Sequence, residues 1–139
     1  MAWSWTHEGT ARWDDDKERI VGGAPEGVFK RMTHVPGKLV PGEWWRVSDA
    51  DGTVVGYGWM DIVWGDGEVL LAVAPEAQKS GVGSYILEQL SKEAASRGLR
   101  YIYNTVRPTH PTGEAVSAWL TQRGFVADSS GERLQKQVT

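Results

Sequence analysis

The apolar spacing of the chain turns on one stretch, Leu70–Arg97, which reads LLAVAPEAQKSGVGSYILEQLSKEAASR. An unbroken apolar run from Val69 to Ala74 predicts a buried strand. Pro75 stops its ladder, because proline has no N–H to give. A polar turn follows, Gln78-Lys79-Ser80-Gly81-Val82-Gly83. Val82, Ile86, Leu87, Leu90 and Ala94 then recur at helical spacing and predict an amphipathic helix. Gly98 suits a left-handed cap at its C-terminal end.

Upstream, Ala2–His7 alternates Trp3 and Trp5 with small polar residues, as an edge strand does. Thr10–Val21 is polar and weakly helical. Within it Asp14-Asp15-Asp16 suits a helix start, where carboxylates meet the positive end of the dipole; a metal cage would need ligands converging from several segments. Gly22–Gly42 concentrates turn residues in GGAPEG and VPGKLVPG, with a short helical turn expected over Glu26–Met32. Trp44–Ser48, the turn Asp49-Ala50-Asp51-Gly52 and Thr53–Trp64 predict a hairpin. A second turn, Gly65-Asp66-Gly67, leads into Glu68–Ala74 and completes a three-strand antiparallel meander. Gly56 and Gly58 in the middle strand permit a bulge or a close backbone approach.

Downstream, Tyr101–Val106 is β-branched and aromatic. It predicts a strand parallel to Glu68–Ala74, since a helix joins the two. Arg107–Thr112 reads as a loop. Thr112 is placed to cap a helix over Glu114–Arg123, with Val116, Trp119 and Leu120 facing the core and Gly124 ending it. Phe125–Ala127 and Arg133–Gln137 predict a last hairpin around Asp128–Gly131. The chain carries no internal repeat and no low-complexity tract.

With 139 residues, the chain is long enough for one domain with a real core and too short for two. A net charge of −3 favours neither nucleic acid nor an anionic membrane surface as a partner. The absence of cysteine excludes thiol catalysis, thiolate metal sites and disulfides, and leaves the redox compartment undecided. No segment approaches the ~20 apolar residues of a membrane span, and MAWSWTHEG lacks the pattern of a signal peptide. A cytoplasmic location is therefore the expectation. His7, His34 and His110 are scattered without ligand spacing, so no metal is expected. Eight tryptophans read mostly as core or sheet-face residues, with room left for an aromatic acceptor pocket or a dimer surface.

The strand, glycine turn and helix start make a physical case for anion binding. A helix's first turn leaves backbone N–H groups unpaired, and the dipole adds partial positive charge there. Gly81 and Gly83 carry no Cβ, so a phosphate or pyrophosphate can come close to the backbone, and Lys79 can add a formal charge. An ordinary strand-to-helix turn with nothing bound is the alternative. The pattern is neither the GxxxxGK[ST] of a P-loop nor the dinucleotide GxGxxG.

The arrangement Q-x-x-G-x-G after a strand ending V-x-P resembles the coenzyme A loop of the GNAT superfamily of N-acyltransferases. AVSAWLTQRGF, at Ala115–Phe125, resembles the late helix and following strand of the same family. The resemblance implies an α/β fold of the α+β type over residues 1–139 as a single domain. Its central sheet is mixed and mostly antiparallel, with helices on both faces and a V-shaped splay between the fourth and fifth strands. It further implies acetyl-CoA, or another acyl-CoA, as co-substrate, held by Val73, Gln78, Lys79, Ser80, Gly81, Val82, Gly83, Ser84 and Asn104. The implied reaction is direct attack of a small-molecule amine on the thioester in a ternary complex, helped by proximity and by backbone N–H groups at the oxyanion.

An amine nucleophile must lose a proton. Glu68 stands close to where many relatives keep a catalytic glutamate, with a solvated strand-end carboxylate as the alternative. Asp61 shares a face with Tyr57 and Trp59 by alternation and reads as base or amine anchor, or as an exposed-face aspartate. His110 is a third candidate base, or a solvated loop histidine. The family often protonates the departing thiolate with a late-helix tyrosine; counting back from Gly124-Phe125, that position is Leu120. Tyr103 or a water is the substitute, and a packed strand aromatic is the other reading of Tyr103. Two further readings stay open: a non-catalytic module binding acyl-CoA or a partner, and an acyltransferase taking its donor from a carrier protein. A homodimer is the family-level expectation.

Overall fold

The computed structural model describes residues 3–24, 35–106, 108 and 110–139. The helical turn expected over Glu26–Met32 lies outside them. The meander is present: β1 (Ser4–Glu8), β2 (Glu43–Ser48), β3 (Val54–Val63) and β4 (Asp66–Val73) pair in sequence, all antiparallel. Of the polar stretch Thr10–Val21, the helical part is α1 (Asp15–Ile20). Asp14 caps it, its carboxylate accepting the Lys17 N–H at 2.8 Å.

After β4 come α2 (Val82–Ser96), β5 (Tyr101–Thr105), α3 (Gly113–Gln122), β6 (Val126–Ala127) and β7 (Arg133–Gln137). They complete a seven-stranded sheet of order β1-β2-β3-β4-β5-β7-β6. Among the described strands only β4 and β5 run parallel. α2 and α3 end alike. The Gly98 N–H reaches the Ala95 carbonyl and the Leu99 N–H that of Ala94; Gly124 and Phe125 repeat this on Thr121 and Leu120. Such a double bond satisfies the last carbonyls and turns the next apolar residue inward, so Leu99 and Phe125 are buried.

Apolar residues fall on the two faces of the sheet by strand alternation. Val69, Leu71 and Val73 of β4 pack with Ile86, Leu87 and Leu90 of α2 and Leu120 of α3. Leu70, Ala72 and Ala74 point the other way, toward Trp44, Tyr57, Trp59 and Ile20 of α1. The glycines of β3 let α2 lie close: a Cβ on Gly58 would stand 2.7 Å from Cγ2 of Ile86. The bulge falls beside them, where pairing steps from Val47–Gly56 to Ser48–Val54.

Three expectations are corrected. The turn between β3 and β4 is Trp64-Gly65, not Gly65-Asp66-Gly67: Val63 pairs with Asp66, and both turn residues have positive φ, 52° and 83°. That is the type I′ geometry of a two-residue hairpin. Trp64 is neither core nor sheet face, being 99% exposed. Thr112 stands at the cap position of α3, but its side chain makes no capping hydrogen bond.

Candidate active site

The strands β4 and β5 pair only at Gly67–Ile102 and Glu68–Tyr103, then part. Across the opening the Asn104 amide donates to the Val69 carbonyl at 2.7 Å. The Ala74 N–H is turned to Val55 of β3. By alternation, the N–H groups of Leu71 and Val73 are turned to the opening. The Val73 carbonyl accepts from the Gln78 amide at 3.4 Å, which folds that side chain against the end of the strand.

Beyond Ala74 a short 3-10 turn, Pro75–Ala77, leads to the glycine loop. Lys79 has φ +64° and Gly81 φ +93°; such conformations at a non-glycine residue store strain and concentrate at functional turns. Gly81 is the N-cap of α2 and supplies no side-chain cap, and the first turn holds no acidic residue. The first intrahelical bond runs from the Tyr85 N–H to the Gly81 carbonyl. The N–H groups of Val82, Gly83 and Ser84 are thus left at the positive end of a 15-residue helix. Among the loop residues named from sequence, Gln78, Lys79, Gly81, Gly83 and Ser84 line the adjoining cavity. Ser80 instead turns its hydroxyl back to the Ala77 carbonyl. Val82 buries its side chain in the core, so only its backbone faces the turn.

The cavity is about 1050 Å³ and runs from this loop, through the opening between β4 and β5, to Asp61 and Glu68. Those two carboxylates sit directly opposite each other on β3 and β4, on the face that carries Tyr57 and Trp59. Gly42 holds the far side of Asp61, for a Cβ there would come within 2.7 Å of its Oδ1. Pro41, whose carbonyl accepts from the Trp44 indole at 2.8 Å, adds to the same wall. Among the described residues neither Asp61 nor Glu68 has an ion-pair partner. Like charges directly opposite on neighbouring strands are a destabilising arrangement.

His110 also lines the cavity. Its Nδ1 accepts the Thr112 N–H at 3.0 Å, which puts the proton of the neutral ring on Nε2 and leaves that nitrogen a donor. In this arrangement His110 suits hydrogen-bond donation better than proton abstraction. Tyr103 is 7% exposed, covered by the Arg133 guanidinium 3.7 Å from its ring centre. Burial, and then the Glu68 carboxylate, push its phenol above the ordinary range. It stands behind the cavity rather than in its wall. Leu120 is in that wall and has no proton to give.

Among the wall residues that sequence reasoning did not assign to the site are Trp119 and Arg123. Arg123 donates to Ser84 Oγ across 39 positions of chain, a distance at which no local pattern signals contact. Among the described residues no cluster of His, Cys, Asp or Glu could hold a metal ion, and no helix is long and apolar enough to cross a membrane.

The profile of the acetyltransferase (GNAT) domain matches residues 41–127. No curated protein sequence matches the chain. Among solved structures, the fold is similar to that of the IAA acetyltransferase from Bacillus cereus, at TM-score 0.60 and 18% identity over 69% of this chain and 77% of that one. It is similar to the PaiA N-acetyltransferase from Thermoplasma acidophilum in complex with coenzyme A, at TM-score 0.56 and 20% identity over 68% and 59%. A third is the phosphinothricin acetyltransferase from Sinorhizobium meliloti in complex with acetyl-CoA, at TM-score 0.54 and 20% identity over 69% and 60%. The last two are longer chains, of which the match spans about 60%. At these identities the likeness is one of fold.

Proposed function

The chain belongs to the GNAT acetyltransferase family, and from that premise we propose that it transfers an acetyl or other acyl group from acyl-CoA to the primary amine of a small molecule. One observation carries the reading: a single cavity joins the first turn of α2 to the facing Asp61 and Glu68, which have no ion-pair partner among the described residues, through the gap between two parted strands. At the turn, the first-turn N–H groups of α2 and the Lys79 ammonium receive the donor's pyrophosphate. The pantetheine arm lies in the gap, where Val73 pairs with it or polarises the acyl carbonyl. Asn104, by holding the Val69 carbonyl, keeps the mouth of the gap at a fixed width.

The amine enters on the side of Asp61 and Glu68. Its lone pair forms the C–N bond, and the C–S bond breaks as the tetrahedral intermediate collapses. Asp61 anchors the arriving ammonium, which gives one proton to Glu68 and so frees that lone pair; the second proton leaves the nitrogen of the tetrahedral intermediate for water. Coenzyme A leaves as a thiolate and takes its proton from water, because Leu120 offers none. Holding both substrates in one cavity supplies much of the rate.

The test begins with calorimetric titration of acetyl-CoA, followed by thioester consumption against a panel of amines. Glu68→Gln is expected to lower kcat by about 100-fold or more, the usual worth of a general base; Asp61→Asn is expected to raise the amine KM more than it lowers kcat. Donor binding with no thioester consumed by any amine would favour the non-catalytic module, the reading that Leu120 supports. No binding of any coenzyme A species would remove the donor assignment and point to a carrier-borne thioester.

A further inference from the structure

We propose that Arg123 is the residue by which this site selects a nucleotide-borne thioester, gripping a phosphate at the nucleotide end of the donor; the inference rests on the acyl-CoA reading above. Arg123 follows α3 directly, yet its guanidinium reaches across to the first turn of α2. Nε and Nη2 donate to Ser84 Oγ at 3.1 and 2.7 Å, and Nη1 donates to the Trp119 carbonyl at 3.0 Å. The guanidinium lies 4.1 Å from the centre of the Trp119 ring. That ring in turn rests against Gly83, where a Cβ would stand 3.4 Å from its Cζ2.

These contacts orient the cation without neutralising it. Among the described residues Arg123 has no carboxylate partner, whereas Arg46 and Arg133 each have one and Arg19 and Arg97 each have two. A guanidinium offers about five N–H donors in a fixed fork. The three bonds above leave one on Nη1 and one on Nη2 unassigned. Ser84 Oγ accepts twice and retains its own hydrogen to donate. Arg123, Ser84, Gly83 and Lys79 line the same end of the cavity, beside first-turn N–H groups with no acidic residue among them. A fork held planar on an indole, a hydroxyl donor and a helix N-terminus together match phosphate oxygens. A pantetheine arm, uncharged, offers the fork only neutral carbonyl and hydroxyl acceptors, about half as strong as the charge-assisted bonds a phosphate makes.

The experiment is calorimetric titration of the wild type, Arg123→Gln, Arg123→Lys and Ser84→Ala with coenzyme A, 3′-dephospho-coenzyme A and pantetheine. Arg123→Gln is expected to weaken coenzyme A by about tenfold or more, the worth of a charge-assisted hydrogen bond, and to leave pantetheine binding unchanged. Arg123→Lys keeps the charge without the fork and recovers part of the loss. A loss for coenzyme A with none for its 3′-dephospho form, each relative to the wild type, places the grip on the 3′-phosphate; equal losses for both place it on the pyrophosphate; either supports the proposal. Should Arg123→Gln lose its cooperative unfolding transition, Arg123→Lys and Ser84→Ala carry the same comparison. Unchanged coenzyme A binding overturns the proposal, as does a proportional loss for coenzyme A and pantetheine, which marks Arg123 as a staple between helices. A fall in kcat at constant donor KM also overturns it, by placing the guanidinium at the thiolate. Each of these leaves the donor reading standing. A wild type that binds no coenzyme A overturns both.

Discussion

Lys17 has no exposed surface, and its ammonium is surrounded on every side. Glu8 accepts from it at 2.7 Å and Asp14 at 3.2 Å, while the rings of Tyr57 and Trp44 lie 4.9 and 5.5 Å from it. A buried ion pair adds little net stability, but removing one partner strands the other charge. Lys17→Met is expected to cost about 3 kcal/mol, the lower end of that range, because Arg46 still reaches Glu8 at 3.2 Å. Urea denaturation measures it, and a cost below about 1 kcal/mol would mean the network behaves as a surface pair. In the sequence Lys17 is one charge in a polar helix. Nothing local distinguishes it from Lys92, whose side chain is 66% exposed, because its burial comes from β1 and β3 closing over α1. Asp61 and Glu68 were legible as residues for the opposite reason. Each interrupts or borders an apolar strand, and strand alternation assigns a face.

The elements that the sequence marks most strongly are the ones that matter for the site: β4, the glycine turn and α2. Their fit depends on Gly58. Gly58→Ala would drive a methyl into Ile86 at 2.7 Å and toward Leu90 and the Trp5 ring at 3.2 Å. Overpacking of this kind costs about 1–3 kcal/mol, and because α2 carries the anion turn, donor affinity is expected to fall with stability. A stability loss with unchanged donor affinity would show that the sheet rather than the helix gives way. The β3–β4 hairpin is the contrary case. A left-handed tryptophan at φ 52° costs about 1–2 kcal/mol per residue, and Trp64 recovers nothing by packing. Trp64→Asn, which suits type I′ geometry, is expected to raise Tm and leave turnover unchanged. A lowered Tm would mean that Trp64 makes a contact in solution. The turn was misplaced from sequence because Gly65-Asp66-Gly67 offers turn residues at every position, and only the pairing register selects among them.

At the scale of the molecule, two cores on opposite faces of one sheet meet at β3 and β4. Tyr57, 1% exposed, shows how tightly the α1 side is closed. Burial, then the Asp14, Glu8 and Asp16 carboxylates, push its phenol far above the ordinary value of 10.0. A raised value means that the folded state keeps the proton that the unfolded state loses. Stability is then unaffected below pH 10 and declines above it, by about 1.4 kcal/mol per pH unit for one such group. Tyr57→Phe keeps the ring beside Lys17 and is expected to flatten the decline. Denaturation midpoints at successive pH values from neutrality upward would measure it, and parallel curves for both proteins would show that other groups govern alkaline unfolding.

The sequence by itself determined the order of the described elements, the parallel return after α2, the glycine turn at the start of α2 and the presence of carboxylates on β3 and β4. These follow from periodicity, from chain connectivity and from backbone groups that a helix must leave unpaired. Tertiary structure alone decided the rest. The width of the gap rests on how far β5 pairs with β4 before twisting away. The opposition of Asp61 and Glu68 rests on the hairpin register. Arg123 reaches Ser84 because α3 packs beside α2, a contact between segments that share no local period and are set together only by the core beneath them.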